Sequence, residues 1–250
     1  MLLKDRVALI TGAARGIGLA TANIFADNGA TVVMLDRNAG RLDSAQRHIL
    51  ESHPDISVTT LVCDVSDESS VRLAFNEIFK QFKRLDVLVS NAGILADGLI
   101  GMVRSEQIKS VFETNTYGTI YCAQYASRLM SRNKSGSIIN LSYIMGTNGN
   151  EGQVVYAGSK ASVIGITKSL AKELGPRKIR VNAINPGVVE TEGFFSLGFS
   201  GGDFEKQMVA QTPLGRLGQP DDVGPVAAFL ASEEAAWVTG EIIQVAGGLR

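Results

Sequence analysis

The sequence is poor in whatever would hold a chain together other than its own core. It has two cysteines, Cys63 and Cys122, and two histidines in 250 residues. Two cysteines cannot make a disulfide framework, and without metal-ligand spacing these four residues argue against zinc, so no metal is expected. Neither charge is in excess: 24 Lys and Arg face 25 Asp and Glu, a net charge of -1. With no basic surplus to draw in a phosphate backbone, nucleic acid is a poor partner. No apolar run approaches the roughly 20 residues a membrane span needs. The opening MLLKDRVALITG breaks its apolar stretch at Lys4, Asp5 and Arg6, unlike a signal peptide or an anchor. No Pro/Ser-rich linker, repeat or low-complexity tract divides the chain. The expectation is a soluble, cytoplasmic-type protein, one domain over residues 1–250.

What the chain does have is a regular alternation. With 45% hydrophobic and 20% charged residues it is globular in composition. Short β-branched runs fall near residues 7–11, 31–36, 57–62, 85–90, 137–142, 180–185 and 241–245. Helical patterns fall near 16–27, 39–51, 68–82, 105–132, 154–174 and 221–231. Strand and helix in turn predict an α/β, doubly wound fold: a seven-stranded parallel sheet with helices on both faces. The runs Val7-Ala8-Leu9-Ile10 and Asp86-Val87-Leu88-Val89 suit strands buried on both faces. Residues 188–213 lack a clean period and carry Gly193, Gly198, Gly201, Gly202, Phe194, Phe195, Phe199 and Phe204. A long glycine-rich, aromatic loop in a compact domain is usually functional, and a lid over a substrate is expected.

The first strand runs into Thr11-Gly12-Ala13-Ala14-Arg15-Gly16-Ile17-Gly18 and then a helix. Glycines there let the backbone approach a pyrophosphate, and the helix amino end offers free N–H groups to the anion. An acid, Asp36, closes the second strand, where a carboxylate can accept from both ribose hydroxyls of an adenosine. A carboxylate about 4 Å from a 2′-phosphate costs about 4 kcal/mol at an effective dielectric near 20. That favours NAD(H) over NADP(H), although Arg15 and Arg37 are natural partners for the extra phosphate. Tyr156 and Lys160, four apart on a helical pattern, share a face. An ammonium beside a phenol lowers its pKa and suits it to proton transfer at a carbonyl or alcohol oxygen. Ser142 closes the fifth strand, at the edge where ligands of open α/β sheets gather. Asn115 lies in the long helical stretch before it.

With these residues the chain resembles the short-chain dehydrogenase/reductase superfamily over essentially its whole length. The likeness rests on Thr11–Gly18, Asp64-Val65, Asn91-Ala92-Gly93, Asn115, Ser142, Tyr156, Lys160, Pro186-Gly187 and Thr191. It implies that Tyr156 is the acid/base and that Ser142 holds the substrate oxygen. It implies that Lys160 binds the nicotinamide ribose and lowers the tyrosine pKa, and that Asn115 holds a relay water. Asp64 and Val65 would abut the adenine, Thr191 would bind the carboxamide, and Ile17, Gly187 and Val189 would complete the dinucleotide site. Ile94, Leu95, Ile144, Met145, Gln153 and Val188 would line the substrate pocket.

Within the superfamily the chain is most similar to 3-oxoacyl-(acyl-carrier-protein) reductases, in 149–153, 165–173, Pro213–Arg216 and Thr239–Glu241. That likeness implies a 3-oxoacyl thioester substrate and docking of acyl carrier protein near Arg132, Lys134 and Arg177. Asp36 departs from the subfamily's usual NADPH preference, and Tyr143 is a large residue directly after Ser142. The same frame serves NAD-linked alcohol, polyol and hydroxysteroid dehydrogenases, which stand as the alternative. A dinucleotide sensor without activity would be expected to lose the tyrosine or the lysine, and both are here. Gly158, Ser162, Gly165 and Ser169 form a small-residue face opposite Tyr156 and Lys160. The resemblance implies that this face pairs across a two-fold axis within a homotetramer.

Overall fold

The computed structural model describes residues 1–196 and 200–250. Gly198 and Phe199, two of the residues expected in a lid, lie outside the described residues. Among the described residues the strands are β1 (Val7–Thr11), β2 (Thr31–Asp36), β3 (Val58–Val62), β4 (Val87–Ser90), β5 (Gly136–Leu141), β6 (Ile179–Pro186) and β7 (Ile242–Val245). All pair in parallel in the order β3-β2-β1-β4-β5-β6-β7. The order reverses between β1 and β4, which opens a crevice at the carboxyl ends of these strands.

The helices are α1 (Gly16–Asp27), α2 (Ala39–Ser52), α3 (Glu68–Phe82), α4 (Ser105–Phe112), α5 (Gly118–Asn133), α6 (Ile144–Asn148), α7 (Val154–Leu174), α8 (Glu192–Ser196), α9 (Asp203–Gln211) and α10 (Pro220–Ala231). One face of the sheet packs Phe25, Leu42, Ile49 and Leu230 from α1, α2 and α10. The other packs Phe75, Ile78, Met130 and Leu174 from α3, α5 and α7. A smaller cluster of Ile144, Val188, Phe194, Met208, Leu217 and Leu249 sits beyond the strand ends, beneath α8 and α9. No described helix is long and apolar enough to cross a membrane.

Two expectations need correction. The stretch 105–132 is not one helix: Glu113–Tyr117 forms a π-helical turn between α4 and α5. The amide of Asn115 explains the break. Its Oδ1 accepts from Ile94 N at 2.8 Å, and its Nδ2 donates to Ile94 O at 2.9 Å and Ser159 Oγ at 3.0 Å. Drawing that side chain across to the segment after β4 widens the helix there, as π turns at functional sites do. The stretch 188–213 is not a bare loop either. It holds α8 and α9, whose short apolar faces Phe194 and Met208 seat on the third cluster, too brief a pattern for periodicity to reveal.

Candidate active site

The long cleft at the carboxyl ends of the strands gathers most of the predicted residues. Its dinucleotide end is lined by Gly12, Arg15, Gly16, Ile17, Asp36, Arg37, Asp64, Val65, Asn91, Ala92 and Gly93. Its other end is lined by Ser142, Gln153, Tyr156, Lys160, Pro186, Gly187, Val188, Val189 and Thr191.

The first end is a cradle of backbone. Gly12 and Gly16 have φ of +62° and +53°, and a Cβ on Gly12 would stand 2.9 Å from Ala92 Cα. Only glycine takes that geometry without strain. α1 begins at Gly16 with no side-chain cap, so its first N–H groups are free for an anion. Asn91 Nδ2 donates to Thr11 O at 2.9 Å and Gly12 O at 3.1 Å, fixing the turn. A bare glycine floor under an uncapped helix end fits a dinucleotide pyrophosphate. Asp36 accepts from Asn38 N at 3.0 Å, which holds its carboxylate at the cleft. The helix cap is Asn38 instead, whose side chain accepts from Arg41 N. Gly18 is a correction: it does not line the cleft. Its Cβ would stand 2.2 Å from Gly12 O, so glycine is needed there for helix-to-turn packing.

The second end is built of side chains. Lys160 is 4% exposed and donates from Nζ to Leu141 O at 2.8 Å. Burial lowers its ammonium to about 8. Nζ lies 5.9 Å from the Tyr156 ring centroid. Tyr156 is raised above the ordinary phenol range, by burial first and then by Tyr143 and Asp97. In this arrangement burial outweighs any lowering of Tyr156 by Lys160, whose ammonium commits one of its three donors to the Leu141 carbonyl. A phenol held protonated beside an apolar wall can give a proton to an oxygen. Ser142 Oγ donates to Lys160 O at 2.7 Å instead of pointing its proton into the cleft. Asn115 is absent from the cleft wall. Its amide is committed as described, so a relay water would have to use its backbone carbonyl, which already accepts from Thr119 Oγ1 at 2.8 Å.

Ile144 is the second residue to correct. It is fully buried in the cluster beneath α8 and α9 and faces away from the cleft, because it opens α6 on that helix's inner side. Met145 packs on the same cluster and is likewise off the cleft wall. Ile94 and Leu95 do line the cleft.

Sequence reasoning missed several neighbours. Arg41, in the first turn of α2, joins Arg15 and Arg37 on the cleft wall near Asp36. Tyr143 lines the substrate end with its ring 5.5 Å from that of Tyr156. Asp97 stands near both phenols, its carboxyl raised by burial and eased downward by a hydrogen bond from Gln153. Nothing periodic marks Asp97. Tyr143 was legible only as bulk beside the serine.

Comparison with known proteins agrees with this fold. A family profile described as Enoyl-(Acyl carrier protein) reductase matches residues 12–250. The chain is 41% identical to the 3-oxoacyl-(acyl-carrier-protein) reductase FabG of Thermotoga maritima, over 100% of this chain and 99% of the relative. It is 35% identical to a 3alpha-hydroxysteroid dehydrogenase of Mediterraneibacter gnavus, over 100% and 99%. The crystal structure of a gluconate 5-dehydrogenase from Burkholderia cenocepacia, in complex with NADP and tartrate, superposes with a TM-score of 0.93 at 32% identity, covering 99% of this chain and 96% of that one.

Proposed function

The chain belongs to the short-chain dehydrogenase/reductase superfamily and is an NAD(P)-dependent oxidoreductase acting between carbonyl and alcohol; on that premise we propose that it reduces 3-oxoacyl thioesters, with NAD(H) favoured over NADP(H). The observation that carries this reading is Tyr156 on the cleft wall beside Lys160: its phenol, raised by burial, is protonated at neutral pH and can give a proton to a carbonyl oxygen. The nicotinamide, when bound, supplies the hydride. Tyr156 donates to the substrate oxygen as negative charge develops there, and then protonates it. Lys160 holds a positive charge behind the phenol and offers donors to a ribose. Ser142 turns from Lys160 O toward the substrate to act as the second holder. Asn115 positions the wall by pinning Ile94. Thr191 lies against Gly16, within reach of the nicotinamide end. Ile94, Leu95, Val188 and Gln153 make a largely apolar wall that suits an acyl chain. The Thermotoga maritima relative supports the thioester, and the hydroxysteroid relative supports the alternative, oxidation of a secondary alcohol, polyol or steroid with NAD.

Asp36 carries the cofactor preference. Its carboxylate is tethered to Asn38 N and cannot swing away from a 2′-phosphate, whereas the exposed Arg37 and Arg41 can. The NADP in the gluconate dehydrogenase structure marks the other outcome. The test is a matrix of NADH and NADPH with acetoacetyl thioester, and of NAD with polyols and hydroxysteroids. The expected result is the highest kcat/KM for NADH with acetoacetyl thioester, and a narrowed or reversed preference in Asp36→Ser. A higher value for hydroxysteroid oxidation replaces the thioester reading, and a higher value for NADPH in the native protein removes the Asp36 argument.

A homotetramer and a cytoplasmic site of action go with this reading. Ile100, Met102, Tyr117 and Ile120 are exposed around α4 and α5, and Leu214 and Trp237 on another side. Exposed apolar groups of this size suit two interfaces, as a closed two-fold assembly requires. Ser162 does not belong to the open back of α7. Its hydroxyl pairs with Thr116 Oγ1 at 2.8 Å in the same subunit, leaving Gly158, Ala161, Gly165 and Ser169 as the small outward residues. Docking of acyl carrier protein at Arg132, Lys134 and Arg177 follows only if the substrate arrives on that carrier.

A further inference from the structure

Two adjacent residues at the end of β5 divide their labour in an unexpected way. Ser142 is 4% exposed, and its single hydroxyl proton is given to Lys160 O at 2.7 Å. A hydroxyl donates once, so Ser142 can offer a substrate oxygen a proton only by breaking that buried bond. Tyr143 comes next with an extended backbone, φ -166° and ψ 147°. Successive extended residues point to opposite sides. Both residues reach the cleft wall, but the Ser142 hydroxyl is turned onto α7 while the Tyr143 ring faces Tyr156. The two rings lie 5.5 Å apart at an interplanar angle of 59°. Among the described residues none hydrogen-bonds either phenol. Burial and the negative charge of Asp97 push Tyr143 up to about 12, so it remains a donor across the neutral range.

Two neighbouring phenols with unspent protons match a substrate with two neighbouring acceptor oxygens. A 3-oxoacyl thioester is such a substrate: its ketone and its thioester carbonyl are separated by one methylene. We propose that Tyr143 is a specificity-determining residue that donates a hydrogen bond to the thioester carbonyl while Tyr156 holds and protonates the ketone oxygen. This rests on the 3-oxoacyl reading and deepens it. Tyr143 fixes which of the two carbonyls meets Tyr156. It also discriminates against ketones whose second carbonyl is absent or displaced, because a phenol shielded from solvent by the bound substrate and left without its acceptor is costly.

The experiment compares two thioesters of one thiol, acetoacetyl and 5-oxohexanoyl, in the native protein and in Tyr143→Phe. Phenylalanine keeps the ring against Tyr156 and removes only the hydroxyl. The native protein is expected to prefer the acetoacetyl substrate. Tyr143→Phe is expected to lose about tenfold in kcat/KM on that substrate, the scale of one hydrogen bond, and less than about twofold on the other. Most of the loss should fall in KM, because the carbonyl held by Tyr143 is not the one that reacts. An equal fall on both substrates overturns the proposal in favour of a packing role. An unchanged Tyr143→Phe on acetoacetyl thioester overturns it while leaving the 3-oxoacyl reading in place. A native protein that reduces neither thioester overturns both.

Discussion

The two ends of the cleft are built by different means. At the dinucleotide end the work is done by backbone: two glycines with positive φ, an uncapped helix start, and a turn laced by Asn91 and Thr11. The side chains that shape the turn are already paired. Thr11 Oγ1 accepts from Asn91 N and Ala92 N at 3.0 Å each, so the cradle is set before any ligand arrives. At the substrate end the work is done by side chains, and several are unspent. The hydroxyls of Tyr143 and Tyr156 lack partners among the described residues, and Gln153 Oε1 is buried without one. A common cofactor can be met by a fixed surface. A particular substrate is met by groups whose hydrogen bonds are kept open for it, and each open group is a cost to the unliganded fold.

The sharpest way to separate the two ends is to disable one and watch the other. Tyr156→Phe should lower turnover by about 10²–10⁴-fold, the usual contribution of a general acid–base group. Dinucleotide affinity, measured by quenching of protein fluorescence, should stay within about threefold, because the cradle lies at the far end. Near-native turnover in this variant would remove Tyr156 from the chemistry. Gly18→Ala is the opposite cut. Its new methyl would meet Gly12 O at 2.2 Å and Asn91 Nδ2 at 2.6 Å, so the turn itself must shift. Overpacking of this kind costs typically about 1–3 kcal/mol. Dinucleotide affinity and melting temperature should fall together, and an unchanged affinity would show that the turn is not the pyrophosphate cradle.

This contrast also explains what the sequence disclosed. The backbone end is written locally. Thr11–Gly18 between a strand and a helix, and Asp36 at the next strand end, are neighbours in the chain, so spacing alone placed them. Tyr156 and Lys160 were legible for the same reason, one helical turn apart. Asp97, Tyr143 and the π turn at Asn115 were not. Asp97 meets Gln153 across a long sequence gap, and the turn arises because Asn115 is drawn to Ile94, a partner that no helical period announces. Ile144 was misplaced because its apolar character fits a pocket wall and a core equally well. Only the packing of α8 and α9, short helices in what reads as loop, puts it in the core.

Lys160 gives the smallest expected effect and the finest test of the cost of open groups. Its ammonium is buried, with Leu141 O as its hydrogen-bond acceptor, and burial lowers it from the ordinary 10.5 to about 8. The unfolded chain therefore holds this proton up to about pH 10.5, whereas the folded protein gives it up near 8. Between these values the unfolded state binds more protons, so on this account stability rises with pH through the window. Below about pH 8 the full penalty stands, on the order of 3 kcal/mol from the shift alone. Lys160→Met removes the charge and keeps an unbranched side chain of similar length, but leaves Leu141 O without its donor, which costs about 1–2 kcal/mol. The net expectation is a variant about 1–2 kcal/mol more stable than native at pH 7, with the advantage shrinking steadily from pH 8 to pH 10.5. Denaturant melts of both proteins across that range read the difference directly and cancel every other titrating group. A variant less stable than native at pH 7 would mean that the bond to Leu141 outweighs the burial of charge. Lys160 would then be a structural asset, and the substrate end no more costly to fold than the cradle opposite it.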